Sequence, residues 1–211
     1  GSITFEGVDI AKYTKEADWL KIRGKKIAMV FQDPMTSLNP LKVIGEQIRE
    51  VIKIHQGIKG EESKQMAIEM LEKVGITDAA NRYNQYPHQF SGGMRQRVVI
   101  AIAAACFPKI LICDEPTTAL DVTIQAQILD LFREIQKKMG TATVLVTHDF
   151  GVVARAADRV VVMYAGKIVE TGTVEEIFYA PRHPYTQGLL RSLPAYARRG
   201  EELYAIPGMP P

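Results

Sequence analysis

The chain has 211 residues, in which 26 Lys and Arg stand against 24 Asp and Glu, so the formal net charge is only +2. This balance argues against a nucleic-acid partner, which usually meets a concentrated basic face, and no stretch approaches the roughly 20 apolar residues that direct membrane insertion requires. The two cysteines, Cys106 and Cys113, stand in apolar runs, which predicts small buried side chains in a reducing compartment and neither a disulfide framework nor a metal site.

The first half of the chain predicts a strand followed by a helical segment. Residues 26–31 form a compact apolar strand signal that ends at Gln32. From residue 43 to about residue 74, apolar residues recur at helical spacing, and glycines divide the stretch into two helices. A polar stretch follows at 78–89. We therefore expect an α-helical insertion after the first strand of the sheet.

The second half alternates strands and helices. A continuous apolar run at 110–113 predicts a strand that is covered on both faces, and residues 143–146 predict a second buried strand. An amphipathic helix at 123–139 connects them, and a short helix at 150–157 follows, with a hairpin around residues 165–166. Strand, helix and strand in this order predict an α/β fold with a parallel sheet core.

Two adjacent acids, Asp114 and Glu115, end the strand at 110–113. Ligands of open parallel sheets gather at the carboxyl ends of the strands. The first carboxylate suits Mg²⁺, which prefers one or two carboxylates together with phosphate oxygens. The second points elsewhere and can polarise a water molecule for attack on phosphorus. The alternative is a solvated acidic turn, and these residues alone do not decide between the two.

Ser91, Gly92 and Gly93 precede an apolar helix rich in small residues. Ser91 suits the N-cap of that helix. The paired glycines would leave backbone N–H groups and the positive end of the helix dipole open to an anion. The alternative is an ordinary glycine-containing turn, but the basic residue and the small-residue helix that follow favour an anion site.

Two further polar residues stand at strand ends. His148 follows the strand at 143–146, where an imidazole can hydrogen-bond a terminal phosphate and orient a neighbouring carboxylate. Gln32 follows the first strand. Each residue by itself is more often an ordinary polar residue, so its meaning depends on the other motifs and their order.

Five motifs, in this order, resemble those of the ATPase subunits of ATP-binding cassette (ABC) transporters. VFQDP resembles the Q-loop, FSGGMRQR the signature motif, ILICDEP the Walker B strand, TTALD the D-loop and VTHD the switch-histidine strand. The resemblance spans essentially the whole chain. QDPMTSLNP, PHQFSGG and HPYTQGLL are further similar to importers of oligopeptides, dipeptides and nickel. Residues 206–211 resemble the start of the C-terminal extension of that subfamily.

The resemblance implies a P-loop NTPase-like sheet that binds ATP and Mg²⁺ and works in pairs, with ATP between one subunit's phosphate-binding loop and the other's signature motif. Glu115 is then expected to polarise the attacking water, and His148 to hold Glu115 and the phosphate in register. Asp114 and Gln32 would serve Mg²⁺, and Asp121 would act across the dimer interface. The residues expected to contact the partner's ATP are Ser91, Gly92 and Gly93.

The resemblance also implies four segments. Residues 1–37 form part of the ATPase core up to the Q-loop, 38–90 the helical signature subdomain, 91–180 the core with Walker B, D-loop and switch histidine, and 181–211 the start of the C-terminal extension. The helical subdomain is expected to dock transmembrane permease subunits, which places the protein peripherally on the cytoplasmic side of the cell membrane. A second ABC ATPase subunit, identical or distinct, is the other expected partner.

The phosphate-binding loop of this family, G-x-x-x-x-G-K-[S/T], is absent from the 211 residues. The Gly-Lys pairs at 24–25 and 166–167 lack both the glycine spacing and the hydroxyl. We therefore expect a piece of a longer subunit, inactive alone, whose parent hydrolyses ATP to power uptake of peptides or a related small solute. Two alternatives stay open: a non-transport soluble ABC ATPase, and a non-hydrolysing cassette that only binds a partner.

Overall fold

The computed structural model describes residues 1–118, 120–193, 204 and 206. The chain divides into two compact units, Gly1–His148 and Asp149–Pro211. None of the helices in the described part is long and apolar enough to cross a membrane. The first unit opens with a hairpin of β1 (Thr4–Phe5) and β2 (Val8–Asp9), a 3-10 helix (Ile10–Lys12) and the short α1 (Glu16–Trp19).

A three-stranded parallel sheet forms the framework of the first unit. It consists of β3 (Ile27–Val30), β4 (Ile110–Asp114) and β5 (Ala142–Val146), with β4 in the centre. Val30 pairs with Cys113, and Asp114 pairs with Val146. Because the strands are parallel and in close register, the residues that follow them meet at one edge of the sheet. The predicted parallel α/β core is thus present.

The two faces of this sheet differ in exposure. Burial alternates along the strands with the two-residue period of a pleated strand. On one face Val144 is 51% and Val146 49% exposed, and Ile112 is only half-buried. The prediction that the strand at 110–113 is covered on both faces, and that 143–146 is a second buried strand, is therefore wrong for this face, because the described residues leave it open. The buried side chains of the other face are Ala28, Val30, Leu111 and Cys113.

A group of helices is inserted between β3 and β4, as the apolar spacing predicts. After the short α2 (Pro34–Ser37), α3 (Ile44–Gln56) and α4 (Gly60–Lys73) pack against each other. Helix α3 buries Ile44, Ile48 and Ile52, one residue per turn. Gly57 ends α3 with φ 73°, a left-handed conformation that glycine adopts without strain. The polar stretch predicted at 78–89 contains α5 (Ala79–Arg82) and a 3-10 helix (Pro87–Gln89).

Two longer helices flank β4 in the chain. Helix α6 (Gly92–Ala104) is buried along most of its length, which explains its apolar sequence on every side, and it packs against β3. Helix α7 (Val122–Met139) is amphipathic and buries five residues of one face. Asp121 caps its start, and Gly140, with φ 65°, ends it.

The second unit is built on an antiparallel hairpin. Helix α8 (Phe150–Ala156) precedes β6 (Arg159–Tyr164) and β7 (Lys167–Thr173), so the hairpin predicted around 165–166 is present. Helices α9 (Val174–Tyr179) and α10 (Pro184–Arg191) follow, of which the second was not predicted. Most of the segment 206–211, which resembles the start of a C-terminal extension, lies outside the described residues.

Candidate active site

Glu115 is the centre of a hydrogen-bonded cluster at the carboxyl edge of the parallel sheet. Gln32 follows β3, Glu115 follows β4 and His148 follows β5, so parallel pairing brings three distant parts of the chain together. Gln32 Nε2 donates to Glu115 Oε2 at 2.7 Å, and His148 Nδ1 lies 2.8 Å from Oε1. Thr118 Oγ1 donates to Oε2 at 3.0 Å. Both oxygens of one carboxylate are therefore held in place.

The backbone at Glu115 departs from the strand that it follows. Its φ is 44°, in the left-handed region that a non-glycine residue enters at a cost of about 1–3 kcal/mol. The Glu115 N–H donates to the Val146 carbonyl at 2.9 Å, and the Thr118 N–H donates to the Glu115 carbonyl at 3.2 Å. These bonds fix a tight turn immediately after Asp114. The turn separates the direction of the Glu115 side chain from that of the strand residues.

The pKa of Glu115 is lowered from its ordinary value of 4.5. The hydrogen bond with His148 is the largest cause and the one from Thr118 the next, while partial desolvation opposes them. The carboxylate is therefore ionised at neutral pH and can only accept hydrogen bonds. It follows that His148 Nδ1 carries the hydrogen of their shared bond. The imidazole, whose side chain is 76% exposed, then has Nε2 left to meet a ligand.

Asp114 ends β4, opposite Val146 of β5. Its carboxylate makes no hydrogen bond or ion pair with other residues in the described part of the chain. Gln32 uses its Nε2 toward Glu115, which leaves its Oε1 as a second oxygen donor. No group of three His, Cys, Asp or Glu side chains suited to a metal occurs among the described residues. This donor set fits Mg²⁺ that is bound together with phosphate oxygens, as Mg²⁺ prefers.

The glycine pair before α6 is open at one position and crowded at the other. Ser91 caps the helix, accepting from the Met94 N–H at 3.4 Å. A Cβ added to Gly92 would meet no atom within 4 Å, whereas one added to Gly93 would lie 2.7 Å from Ile124 Cγ2. The exposed first turn fits an anion, but Gly93 also has a packing role. Within the described residues, no hydrogen bond links Ser91, Gly92 or Gly93 to the Glu115 carboxylate.

Asp121 is exposed and caps α7, its Oδ1 accepting from the Ile124 N–H at 3.0 Å. This contact explains an acid at this position by helix capping alone. An interface role for Asp121 therefore stays a prediction. Its neighbour Ala119, within the D-loop-like segment, lies outside the described residues.

Sequence reasoning missed two residues around Glu115. Thr118, three residues further on, donates to the Glu115 carboxylate, and the spacing of a hydroxyl three residues after an acid in a turn is a signal that could have found it. Gln96, within the signature-like segment, is 1% exposed and donates from Nε2 to the Pro116 carbonyl at 2.7 Å. Gln96 stands between Arg95 and Arg97, so its neighbours in the sequence do not indicate that it is buried.

Comparison with known proteins relates both ends of the chain to transporters. Residues 1–118 match the family described as ABC transporter, and residues 169–211 match the oligopeptide/dipeptide transporter C-terminal region. The chain is 61% identical over 211 residues to the oligopeptide transport ATP-binding protein AmiE of Streptococcus pneumoniae. It is 61% identical over 212 residues to OppD of Bacillus subtilis. All of the chain is aligned in both cases, but it spans only 59% of each relative's length.

Solved structures give the same answer for the fold. A dimeric post-hydrolysis state of the ATP-binding cassette MJ0796 with ADP and phosphate is 29% identical, with a TM-score of 0.70 over 81% of this chain and 72% of that one. A second dimeric structure of this bacterial ABC transporter cassette has a TM-score of 0.72. The predicted P-loop NTPase-like α/β core with a helical insertion is thereby confirmed. Because the family match covers more than half of its residues and the fold agrees, this chain belongs to the ABC transporter family.

Proposed function

We propose that the complete protein is the ATP-hydrolysing subunit of an ABC importer that takes up peptides or a related small solute. The observation that carries the proposal is the Glu115 carboxylate, held between Gln32, Thr118 and His148 at the edge where nucleotides bind to parallel sheets. The similarity to oligopeptide transport ATP-binding proteins supports peptides as the solute class.

Each residue of the cluster has a distinct task in this reaction. Glu115, kept ionised by its hydrogen bonds, accepts a hydrogen bond from the attacking water and withdraws its proton. His148 orients Glu115 through Nδ1 and presents Nε2 to the terminal phosphate. Asp114 and Gln32 Oε1 would hold Mg²⁺, which supplies charge neutralisation on the phosphates when it is bound. Positioning and charge stabilisation are the main demands of phosphoryl transfer, and these residues meet both.

We propose that the protein works as a pair of cassettes beneath a transmembrane permease, on the cytoplasmic side of the cell membrane. The dimeric cassette structures similar to this chain support the pairing. In such a pair, the open turn at Ser91, Gly92 and Gly93 would meet ATP that is held by the partner. Asp121 is exposed, and the helix that it caps lies against this turn, because Ile124 packs against Gly93. Asp121 would therefore lie in the same interface. The helices between β3 and α6 would dock the permease.

We propose that the phosphate-binding loop lies in a part of the protein outside these 211 residues. The open face of the three-stranded sheet supports this proposal, since exposed apolar side chains such as Val144 and Val146 are unusual on the strands of a complete α/β core. We propose that the segment carrying the loop also covers this face. The chain spans only 59% of the length of AmiE, so the rest of that length is enough for such a segment.

The test is Glu115→Gln in the full-length protein. We expect kcat for ATP hydrolysis to fall by about 10²–10⁴-fold, the usual contribution of a general base, with ATP binding retained. The ATP-bound dimer should then accumulate on size-exclusion chromatography. Glu134→Gln is the matched control, because among the described residues Glu134 pairs with Lys138 alone, on the exposed side of α7. Hydrolysis at the wild-type rate in Glu115→Gln would refute the assignment.

A further inference from the structure

Gln96 is a buried polar residue that none of the roles above uses. It lies on α6, five residues after the Ser91 cap, and is 1% exposed. Its Nε2 donates to the Pro116 carbonyl at 2.7 Å. Its Oε1 is buried and has no hydrogen-bond partner among the described residues. A buried acceptor without a partner is destabilising, so an apolar residue would serve packing better at this position.

The carbonyl that Gln96 holds is that of Pro116, the residue directly after the strained Glu115. Glu115 has φ 44°, and such a conformation persists only where the surroundings over-determine it. The Glu115 N–H is bound to Val146 and its carbonyl to the Thr118 N–H. The first of these bonds comes from the sheet and the second from the turn itself. Gln96 adds a contact from α6, the helix that carries the signature-like segment, and holds the Pro116 carbonyl from outside both the turn and the sheet.

We propose that Gln96 is a positioning residue that keeps Glu115 in its left-handed conformation, and so keeps its carboxylate between Gln32 and His148. The proposal rests on the proposed function, because it assigns a task in the hydrolysis for which Glu115 is the base. It also gives a physical connection within one subunit: the start of α6 and the Glu115 turn are joined by one hydrogen bond. A shift of α6 is thereby transmitted to the catalytic carboxylate.

The experiment uses the full-length protein with Gln96→Met, which keeps the volume of the side chain and removes its donor. We expect kcat to fall about tenfold with KM for ATP within about twofold of wild type, because the base is misplaced while nucleotide contacts are intact. Gln56→Met is the matched control. Gln56 donates to the Ala105 carbonyl at the other end of α6, at 3.2 Å, so its loss removes a similar bond without touching the turn.

A double-mutant cycle separates positioning from a general loss of structure. Thr118→Val removes the hydroxyl that holds Glu115 from within the turn. If Gln96 acts through the same turn, the effects of Gln96→Met and Thr118→Val on kcat are non-additive, whereas effects of independent sites add. Gln96→Asn, which retains an amide but withdraws it by one methylene, replaces Gln96→Met if the latter does not fold and should show the same loss.

The outcomes distinguish this inference from the proposed function. Absence of Glu115-dependent hydrolysis in the wild-type protein overturns the proposed function itself. Hydrolysis in the wild type with an unchanged kcat in folded Gln96 variants, or with additive effects in the cycle, overturns only the role of Gln96. A selective loss of kcat that is coupled to Thr118 supports it.

Discussion

Adding one methyl group to each glycine of the Gly92–Gly93 pair should give opposite effects on folding. A Cβ at Gly92 meets nothing within 4 Å, while a Cβ at Gly93 lies 2.7 Å from Ile124 Cγ2. Contacts below about 3 Å require something to move, and Cγ2 of a β-branched side chain in a helix is stiff because it sits on the first side-chain torsion. The clash at Gly93 therefore cannot be relieved by rotating a flexible chain end.

The magnitudes follow from these two environments. Gly92→Ala should be neutral or stabilise by up to about 1 kcal/mol, because alanine favours the helix and reduces the entropy of the unfolded chain. Gly93→Ala gains the same helix propensity, but its methyl group overpacks the contact between α6 and α7. Such overpacking typically costs about 1–3 kcal/mol. We therefore expect Gly93→Ala to be the less stable variant by about 2 kcal/mol.

Urea unfolding of the full-length protein measures this difference, with ATPase activity recorded in parallel. On the proposed function, Gly92→Ala lowers activity although it folds well, because its methyl group stands where the partner's nucleotide would approach. In Gly93→Ala/Ile124→Ala the clash is removed, so the two substitutions should show a favourable coupling of about 1–3 kcal/mol. Equal stabilities of the two single variants would refute the packing explanation of Gly93, and full activity of Gly92→Ala would refute the anion-site explanation of Gly92.

Two further predictions concern the site and its partner. Ser91→Arg should abolish ATP-dependent dimer formation, seen by size-exclusion chromatography, while thermal unfolding changes little, because Ser91 is exposed; a strong loss of stability with retained activity would leave Ser91 only its capping role. The pKa of Glu115 is lowered in the folded protein, so the stabilisation from its cluster is present above about pH 4.5 and is lost as the pH falls through the folded-state pKa. His148→Gln removes the largest cause of the lowered pKa. The free energy of unfolding, measured by urea unfolding between pH 3 and pH 7, should therefore fall less steeply toward acid pH in this variant. An unchanged pH dependence would contradict His148 as the cause.

Much of the fold could be predicted because the sequence signals are local. Apolar spacing located α3, α4 and α7, and residues 110–113 and 143–146 located β4 and β5. The exposure of β5 could not be predicted in the same way. A continuous apolar run indicates that both faces of a strand are suited to burial, but whether they are covered depends on chain that lies elsewhere.

The part of the site that could be predicted is the part whose residues directly follow parallel strands, because the ends of such strands meet at one edge of the sheet. Gln32, Glu115 and His148 each follow a strand, and parallel pairing brings them within hydrogen-bond distance. Thr118 and Gln96 could not be found this way, since neither ends a strand. Their contacts depend on the left-handed turn at Glu115, and glutamate gives no sign in the sequence that it adopts such a conformation.

The same turn explains how two adjacent acids can do different chemistry. Asp114 is still part of β4, opposite Val146, and its carboxylate makes no hydrogen bond or ion pair with the described residues, which suits a ligand of a metal that arrives with phosphate. Glu115 leaves the strand at φ 44°, and its two oxygens are bound by side chains from two other segments and by Thr118 of its own turn. On the proposed function, one carboxylate is thus left able to bind Mg²⁺ and the other is held in place as the base. In an extended strand, the side chains of an Asp-Glu pair would also point in opposite directions, but their surroundings would not differ in this way. The strained backbone at Glu115 is therefore the energetic cost of placing the two carboxylates in different environments.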